Sequence, residues 1–181
     1  MTIIIAIPPH TESETLVFEL LACARTLQDL TGEWIRILQV GPKAAEKGQQ
    51  TAEATGIDVY TVPMEDSKAA TAEAFTAIVA DMAAEAAPAW IILPHTAAGL
   101  DAAPALAVKL NAACLTGVEK IETADHRICC RREIFNGKLA ASLIPETEHT
   151  VMTIQTGAFA AEAKKAPAAG THRGRHFETD E

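Results

Sequence analysis

The fold is decided by residues 3–40, which read IIIAIPPHTESETLVFELLACARTLQDLTGEWIRILQV. The first five residues are apolar and mostly β-branched, which is typical of a strand that is covered on both faces. After the two prolines a helical pattern follows over about residues 14–30, with one apolar face formed by Leu16, Val17, Leu20, Leu21, Ala24 and Leu27. Gly32 ends this helix, and residues 34–40 form a second apolar strand. A strand, a helix and a strand of these lengths predict a βαβ unit and therefore a parallel sheet.

The same alternation continues to residue 93. It predicts a helix over 43–54 that ends near Gly56, a strand over 57–62, a helix capped by Ser67, and a strand over 90–93. A further helix is predicted over 101–111, with Pro104 in its first turn. The expected fold is a three-layer α/β architecture, in which helices lie on both faces of a mostly parallel sheet.

Beyond residue 111 the helical pattern stops. Residues 116–123, 127–134, 138–144 and 150–155 are predicted strands joined by short polar turns, and Asn136-Gly137 is a hairpin signal of the I′ type. We expect these antiparallel hairpin strands to complete the sheet as a mixed sheet, an arrangement like that of the adenine-nucleotide-α-hydrolases.

From residue 161 onward the composition changes to a stretch rich in Ala, Lys and Glu, which offers no apolar face. The predicted domain is therefore residues 1–160, and residues 161–181 are a predicted linker or flexible tail. This tail contains the one local basic cluster, His172-Arg173-Gly174-Arg175-His176, which we interpret as solvated.

Charge and composition restrict the class of partner. The 181 residues carry a net charge of −9, so the basic surface of a nucleic-acid-binding protein is absent. No apolar run reaches the roughly 18 residues that a membrane span needs, and no charged n-region precedes the first apolar run. We expect a cytoplasmic protein. The four cysteines have no C-x-x-C spacing, which predicts buried free thiols, and His10, His126 and His149 stand singly at predicted turns, so we expect no metal site.

No catalytic motif is present. The first strand is not followed by G-x-G-x-x-G, and neither a P-loop nor a G-x-S-x-G elbow occurs, so we expect no catalytic residue and no dinucleotide site. The segment Pro94–Asp101 is the best candidate site, because it leaves the end of a parallel strand and enters a helix. In one interpretation Thr96 and Gly99 contact a phosphate beside His95. In the other, Thr96 or Asp101 caps the helix and Gly99 makes a turn.

Several segments resemble one known family in the same order. They are Leu93–Asp101, Ala103–Leu110, Thr116–Val118, Arg132–Ala140 and Val151–Phe159. The first two are similar to the Gly-plus-acid loop and the P-x-x-A-x-x-L helix of the electron transfer flavoprotein α subunit, and the last two to its R-x-I-Y-x-G-N-A-L and T-V-R-P-G-A-F stretches. Gln155 stands where that family usually has Arg, and Leu100 where Lys or Arg is common, so the resemblance supports no salt bridge at either position.

The resemblance implies an electron carrier and not an enzyme. Such α subunits form a heterodimer with a β subunit, receive electrons from dehydrogenases, and hold FAD in a C-terminal domain. The G-G-R-G-like and S-R-like flavin motifs of that domain do not occur here. We therefore expect an N-terminal, non-flavin domain, either excised or free-standing, that does not bind FAD alone.

The alternative is an adenine-nucleotide-binding module of the universal-stress type. In that case AMP would be held at Thr96, Gly99 and Asp101. The lack of a glycine-rich loop favours the electron-transfer interpretation.

Overall fold

The predicted alternation of strands and helices is present in the computed structural model, which describes residues 1–9, 11, 13–65, 71–160 and 172–174. The helices are α1 (Glu14–Thr31), α2 (Ala44–Thr55), α3 (Ala72–Ala86) and α4 (Ala97–Leu110). The strands are β1 (Thr2–Ile7), β2 (Trp34–Gly41), β3 (Val59–Pro63), β4 (Trp90–Pro94), β5 (Ala113–Val118), β6 (Lys120–Ala124), β7 (Arg127–Ile134), β8 (Leu139–Leu143), β9 (Thr150–Ile154) and β10 (His172–Gly174).

Among the residues that the structure describes, the main sheet has seven strands in the order β10-β3-β2-β1-β4-β9-β5, and every neighbouring pair is parallel. All six residues of β1 are buried. Its alternate side chains enter two separate cores. One core contains Ile3, Ile5 and Ile7 with side chains of α1 and α2, and the other contains Ile4 and Ala6 with side chains of α3 and α4. The predicted α/β fold with helices on both faces is confirmed.

The hairpin strands do not complete this sheet. They form a second, antiparallel sheet in the order β6-β7-β8, which packs through Ile121 and Cys130 against the α1 side of the first core. The strand predicted over 116–123 is divided at Glu119 between the two sheets. The division follows a shift in register between Leu115 and Val118 in the β5–β9 ladder, where Gly117 has a φ of +67°. The expectation of a mixed sheet was wrong, because this irregularity redirects the chain out of the parallel layer.

Local turn signals were largely correct. The turn predicted at Asn136-Gly137 is present, with φ values of +55° and +78°, and the N–H of Lys138 donates to the carbonyl of Phe135 at 3.3 Å. Phe135 also has a positive φ of +53° and the ladder closes at Ile134 and Leu139, so the loop has four residues and is longer than a two-residue I′ hairpin. The cap predicted at Ser67 was wrong, and Ser67 itself lies outside the described residues. Helix α3 is capped by Thr71, whose hydroxyl accepts from the N–H of Ala74 at 3.2 Å.

The segment predicted as a tail contributes one strand. Residues 172–174 form β10, which pairs in parallel with β3, so the tail prediction was wrong for these residues. The remainder of the basic cluster and residues 161–171 lie outside the described residues, and the domain boundary at residue 160 stays a prediction. Within the described part of the chain, no helix combines the length and the hydropathy that crossing a bilayer requires.

The four cysteines are free, but they differ in exposure. Cys23, Cys129 and Cys130 are buried, as expected, whereas Cys114 is exposed at the start of β5. Burial raises the pKa of the Cys130 thiol to about 12, with a further contribution from Cys129, and burial raises the pKa of Cys23 well above its ordinary value. Cys23 and Cys130 are therefore held in the unreactive thiol form at neutral pH.

We predict that Cys114 alone reacts rapidly with an aromatic disulfide reagent at pH 8. Burial also raises the pKa of Cys114, so its reaction should be slower than that of a free thiol but still much faster than that of the three buried groups. The measurement is the absorbance of the released thiolate over time, before and after unfolding in guanidinium. The Cys114→Ser variant should lose the rapid phase, and a rapid phase that survives in this variant would contradict the burial of the other three.

Candidate functional site

The segment Pro94–Asp101 begins helix α4 earlier than predicted. Thr96 is the N-cap, with extended backbone dihedral angles, and its hydroxyl accepts from the N–H of Gly99 at 3.4 Å. Asp101 is exposed on the helix after its first turn, so the alternative in which Asp101 caps the helix was wrong. Because the helix starts at Ala97, Pro104 lies in its interior and not in its first turn, as had been predicted.

Gly99 is required by a close contact and not by a turn. It is a helical residue whose backbone packs against the end of β4. A Cβ atom at this position would lie 1.9 Å from the carbonyl oxygen of Pro94, which is backbone and cannot move aside easily. The glycine therefore allows the first turn of α4 to approach the strand that precedes it. The prediction that Gly99 makes a turn was wrong.

His95 belongs to a hydrogen-bonded group that joins three strand ends. The backbone N–H of His95 donates to the carbonyl of Ile154 at 2.9 Å, and Nδ1 of its imidazole lies 2.8 Å from the hydroxyl of Thr153. The Thr153 hydroxyl is fully buried and also accepts from the N–H of Gly117 at 3.0 Å. Within the described residues the remaining partner of this hydroxyl is Nδ1 of His95, so Thr153 links the imidazole to the backbone of β5.

The glycine beside His95 has a conformational reason. Gly117 has a φ of +67°, which residues with a side chain rarely adopt, whereas a Cβ atom at this position would make only an ordinary contact of 3.4 Å with Cε1 of the imidazole. The sequence analysis missed both Thr153 and Gly117 as parts of the site. A threonine inside a strand gives no local signal that its hydroxyl links two neighbouring strands.

Arg132 joins the two sheets close to the same strand end. Its Nη1 donates to the carbonyl of Thr116 at 3.1 Å and to the Thr116 hydroxyl at 2.9 Å. Its Nε is buried and has no hydrogen-bond partner in the described part of the chain. The guanidinium therefore fixes β7 against β5 at the point where the chain leaves the parallel sheet.

Glu19 fixes the segment that follows β9. This glutamate is buried in α1, and its Oε2 accepts from the N–H of Gly157 at 2.9 Å. Gly157 has a φ of +81°, which favours glycine at this position. The sequence analysis did not single out Glu19. A signal was available, because an acid between Leu16 and Cys23 falls on the buried face of the helix and needs an internal partner.

The polar groups at this end of the sheet mainly stabilise the fold. The Thr96 hydroxyl accepts from the N–H of Gly99, and the Thr153 hydroxyl bonds to Gly117 and His95. Nη1 of Arg132 donates to Thr116. Across residues 1–9, 11, 13–65, 71–160 and 172–174, no three His, Cys, Asp or Glu side chains are grouped so that they could hold a metal ion. The sequence-predicted residues Thr96, Gly99 and Asp101 occur together at the start of α4, where the first two organise the helix.

We predict that Thr96→Ala lowers the free energy of unfolding by about 1 kcal/mol, because the first turn of α4 loses its side-chain cap. Thr96→Ser should retain most of the stability, since it keeps the hydroxyl. The matched control is Asp101→Ala on the exposed face, which should stay within about 0.5 kcal/mol of the unaltered protein. Urea unfolding measures all three variants, and a larger loss in Asp101→Ala than in Thr96→Ala would contradict the assignment of the cap.

Comparison with known proteins agrees with this architecture. The family model described as "Electron transfer flavoprotein domain" matches residues 10–175. "Protein FixB" of Clostridium saccharobutylicum is 28% identical over 153 residues, which are 82% of this chain and 45% of FixB. The chain therefore spans less than half the length of this relative. Because the family model covers most of the chain, the protein belongs to the electron transfer flavoprotein domain family.

Proposed function

We propose that this chain is the N-terminal, non-flavin domain of an electron transfer flavoprotein α subunit, or a free-standing relative of that domain. It serves electron transfer in the cytoplasm by docking a β subunit and supporting a domain that holds FAD. The observation that carries the proposal is the match of the family model to residues 10–175 of this chain. The similarity to FixB covers only 45% of FixB, which supports the assignment to one domain of such a subunit. The dehydrogenase that supplies the electrons would contact the assembled heterodimer.

The geometry of the candidate site supports a structural role for the Pro94–Asp101 segment. Thr96 and Gly99 each have an explanation inside the protein, as the helix cap and as the point of close approach to Pro94. A nucleotide is not needed to explain either residue. This favours the electron-transfer interpretation over an AMP-binding module.

Helix α4 offers a surface for the β subunit. Its inner face, with Ala103 and Leu106, is buried in the core. Its outer face carries Leu100, Pro104 and Val108 at intervals of four residues, and the Leu100 and Val108 side chains are 38% and 84% exposed. The charged residues Asp101 and Lys109 lie beside this exposed apolar row, and an exposed apolar patch with a polar rim is typical of an interaction site. Since electron transfer flavoproteins act as heterodimers, we assign the outer face of α4 to the β subunit.

We predict that Val108→Glu weakens binding of the β subunit about tenfold or more, because it replaces the most exposed side chain of the apolar row with a charge. The matched control is Ala84→Glu, which adds the same charge at an exposed position of α3. Titration calorimetry with the purified β subunit gives the two affinities, and thermal melting shows that both variants are folded. Equal affinities for the two variants would remove α4 from the proposed interface, and no binding by the unaltered chain would contradict the docking role itself.

We further predict that AMP, ADP and ATP do not change the thermal midpoint. A ligand present at about 100 times its dissociation constant would stabilise the fold by about 2.7 kcal/mol and raise the midpoint by several degrees. The melting of the unaltered chain and of Thr96→Val, each with and without nucleotide, is the measurement. A rise that is lost in Thr96→Val would support the nucleotide-binding alternative in place of the present proposal.

A further inference from the structure

The two asparagines of this chain, Asn111 and Asn136, differ in the residue that follows them. Both are exposed, and both have a positive φ, of +48° and +55°. Asn111 precedes Ala112, whereas Asn136 precedes Gly137 in the loop between β7 and β8. Asparagine is a thermolabile residue, because the backbone nitrogen of the next residue can attack its side-chain amide. The reactivity of each asparagine therefore depends on how that nitrogen is held.

The nitrogen that follows Asn111 is held by a hydrogen bond. Asn111 is the C-cap of α4, and the N–H of Ala112 donates to the carbonyl of Ala107 at 2.9 Å. This bond belongs to the end of the helix and fixes the peptide group in place. The nitrogen can therefore reach the Asn111 side chain only after the end of the helix has opened.

The nitrogen that follows Asn136 is not held in this way. Among the described residues the N–H of Gly137 has no hydrogen-bond acceptor, and the loop is closed by one long bond of 3.3 Å, from the N–H of Lys138 to the carbonyl of Phe135. Asn136 and Gly137 are both exposed. Glycine has no Cβ atom to obstruct the attack, and its backbone rotates more freely than that of other residues. The nitrogen of Gly137 can therefore approach the Asn136 side chain without the loss of a hydrogen bond.

The turn itself requires the glycine that makes Asn136 reactive. Gly137 has a φ of +78°, which residues with a side chain rarely adopt. A Cβ atom at this position would also lie 2.9 Å from Oε2 of Glu133, so that the glutamate side chain would have to move. The conformation of the loop thus maintains an exposed Asn-Gly pair.

We propose that Asn136 is a site of spontaneous deamidation in the folded protein, whereas Asn111 is protected. The backbone nitrogen of Gly137 attacks Cγ of Asn136 and forms a new C–N bond. The bond from Cγ to the side-chain nitrogen breaks, and this nitrogen leaves as ammonia with the proton that the Gly137 N–H gives up. Water then opens the cyclic imide. Cleavage of the new bond produces aspartate, and cleavage of the original peptide bond produces isoaspartate.

The reaction changes both the charge and the length of the hairpin loop. Either product adds a carboxylate to a loop in which the carboxylate of Glu133 already lies against Gly137. Isoaspartate also places the side-chain methylene of residue 136 in the main chain between β7 and β8. The neighbouring Phe135 side chain is 72% exposed, so the modification alters an exposed apolar surface of the protein. The inference is independent of the proposed docking role, because α4 does not take part in it.

The decisive experiment compares two Asn-Gly pairs in the same molecule. The Ala112→Gly variant puts a glycine after Asn111 and leaves the loop between β7 and β8 unaltered. The folded variant is incubated at mildly alkaline pH in water enriched in heavy oxygen, and peptide mapping by mass spectrometry measures the label at each asparagine. We expect Asn136 to be lost about tenfold faster than Asn111, since a hydrogen bond of about this strength holds the nitrogen after Asn111. In guanidinium the two asparagines should react at similar rates, because neither nitrogen is held.

The unaltered chain provides a second measurement that does not depend on the folding of a variant. Asn136 should react in the folded chain at a rate within about tenfold of its rate in guanidinium. The control Asn136→Gln should remove the label from residue 136, because its longer side chain must form a larger ring. Equal rates at the two asparagines of the folded Ala112→Gly variant would overturn the proposal. It would also be overturned if Asn136 stayed intact in the folded chain over the time in which it reacts in guanidinium.

Discussion

The structure depends on the complete burial of β1 at the centre of the parallel sheet. Residues 3–7 of this strand are completely buried, and their side chains alternate between two cores. Such a strand is stable only when helices cover both faces of the sheet, because neither row of isoleucines can face solvent. The helices α1 and α2 cover one row, and α3 and α4 cover the other. The strand order β3-β2-β1-β4 agrees with this arrangement. Crossovers between parallel strands are right-handed, so the face on which a helix packs decides the side of β1 on which the next strand is added.

The end of the sheet where β4 finishes shows how this constraint shapes the candidate site. Helix α4 must turn back onto the sheet at once, which brings Gly99 against the carbonyl of Pro94. The ends of β9 and β5 then place Thr153 and Gly117 beside His95. The Thr153 hydroxyl hydrogen-bonds both to the backbone N–H of Gly117 and to the imidazole of His95. A buried polar group of this kind stabilises the fold only when its partners are present. The residues that resemble a ligand loop in the sequence thus serve first to join a strand to a helix.

Partner binding would use surfaces that the two cores leave free. The outer face of α4 carries Leu100 and Val108, and the hairpin between β7 and β8 exposes Phe135 and Leu139, of which Phe135 is 72% exposed. These two surfaces belong to different layers, α4 to the parallel sheet and the hairpin to the antiparallel sheet.

The sequence by itself determined the βαβ alternation, the helix ends at Gly32 and Gly56, and the position of the turn at Asn136-Gly137, because periodicity and backbone preference act within a few residues. It left Thr96 and Asp101 as alternative caps, since both are good capping residues and the choice depends on where the helix meets β4. Only the tertiary structure decided that β9 enters the parallel sheet between β4 and β5, that the hairpin strands form a sheet of their own, and that residues 172–174 pair with β3. Strand pairing joins residues that are far apart in the chain. It is decided by which edge can bury a given apolar face, and no local pattern carries that information.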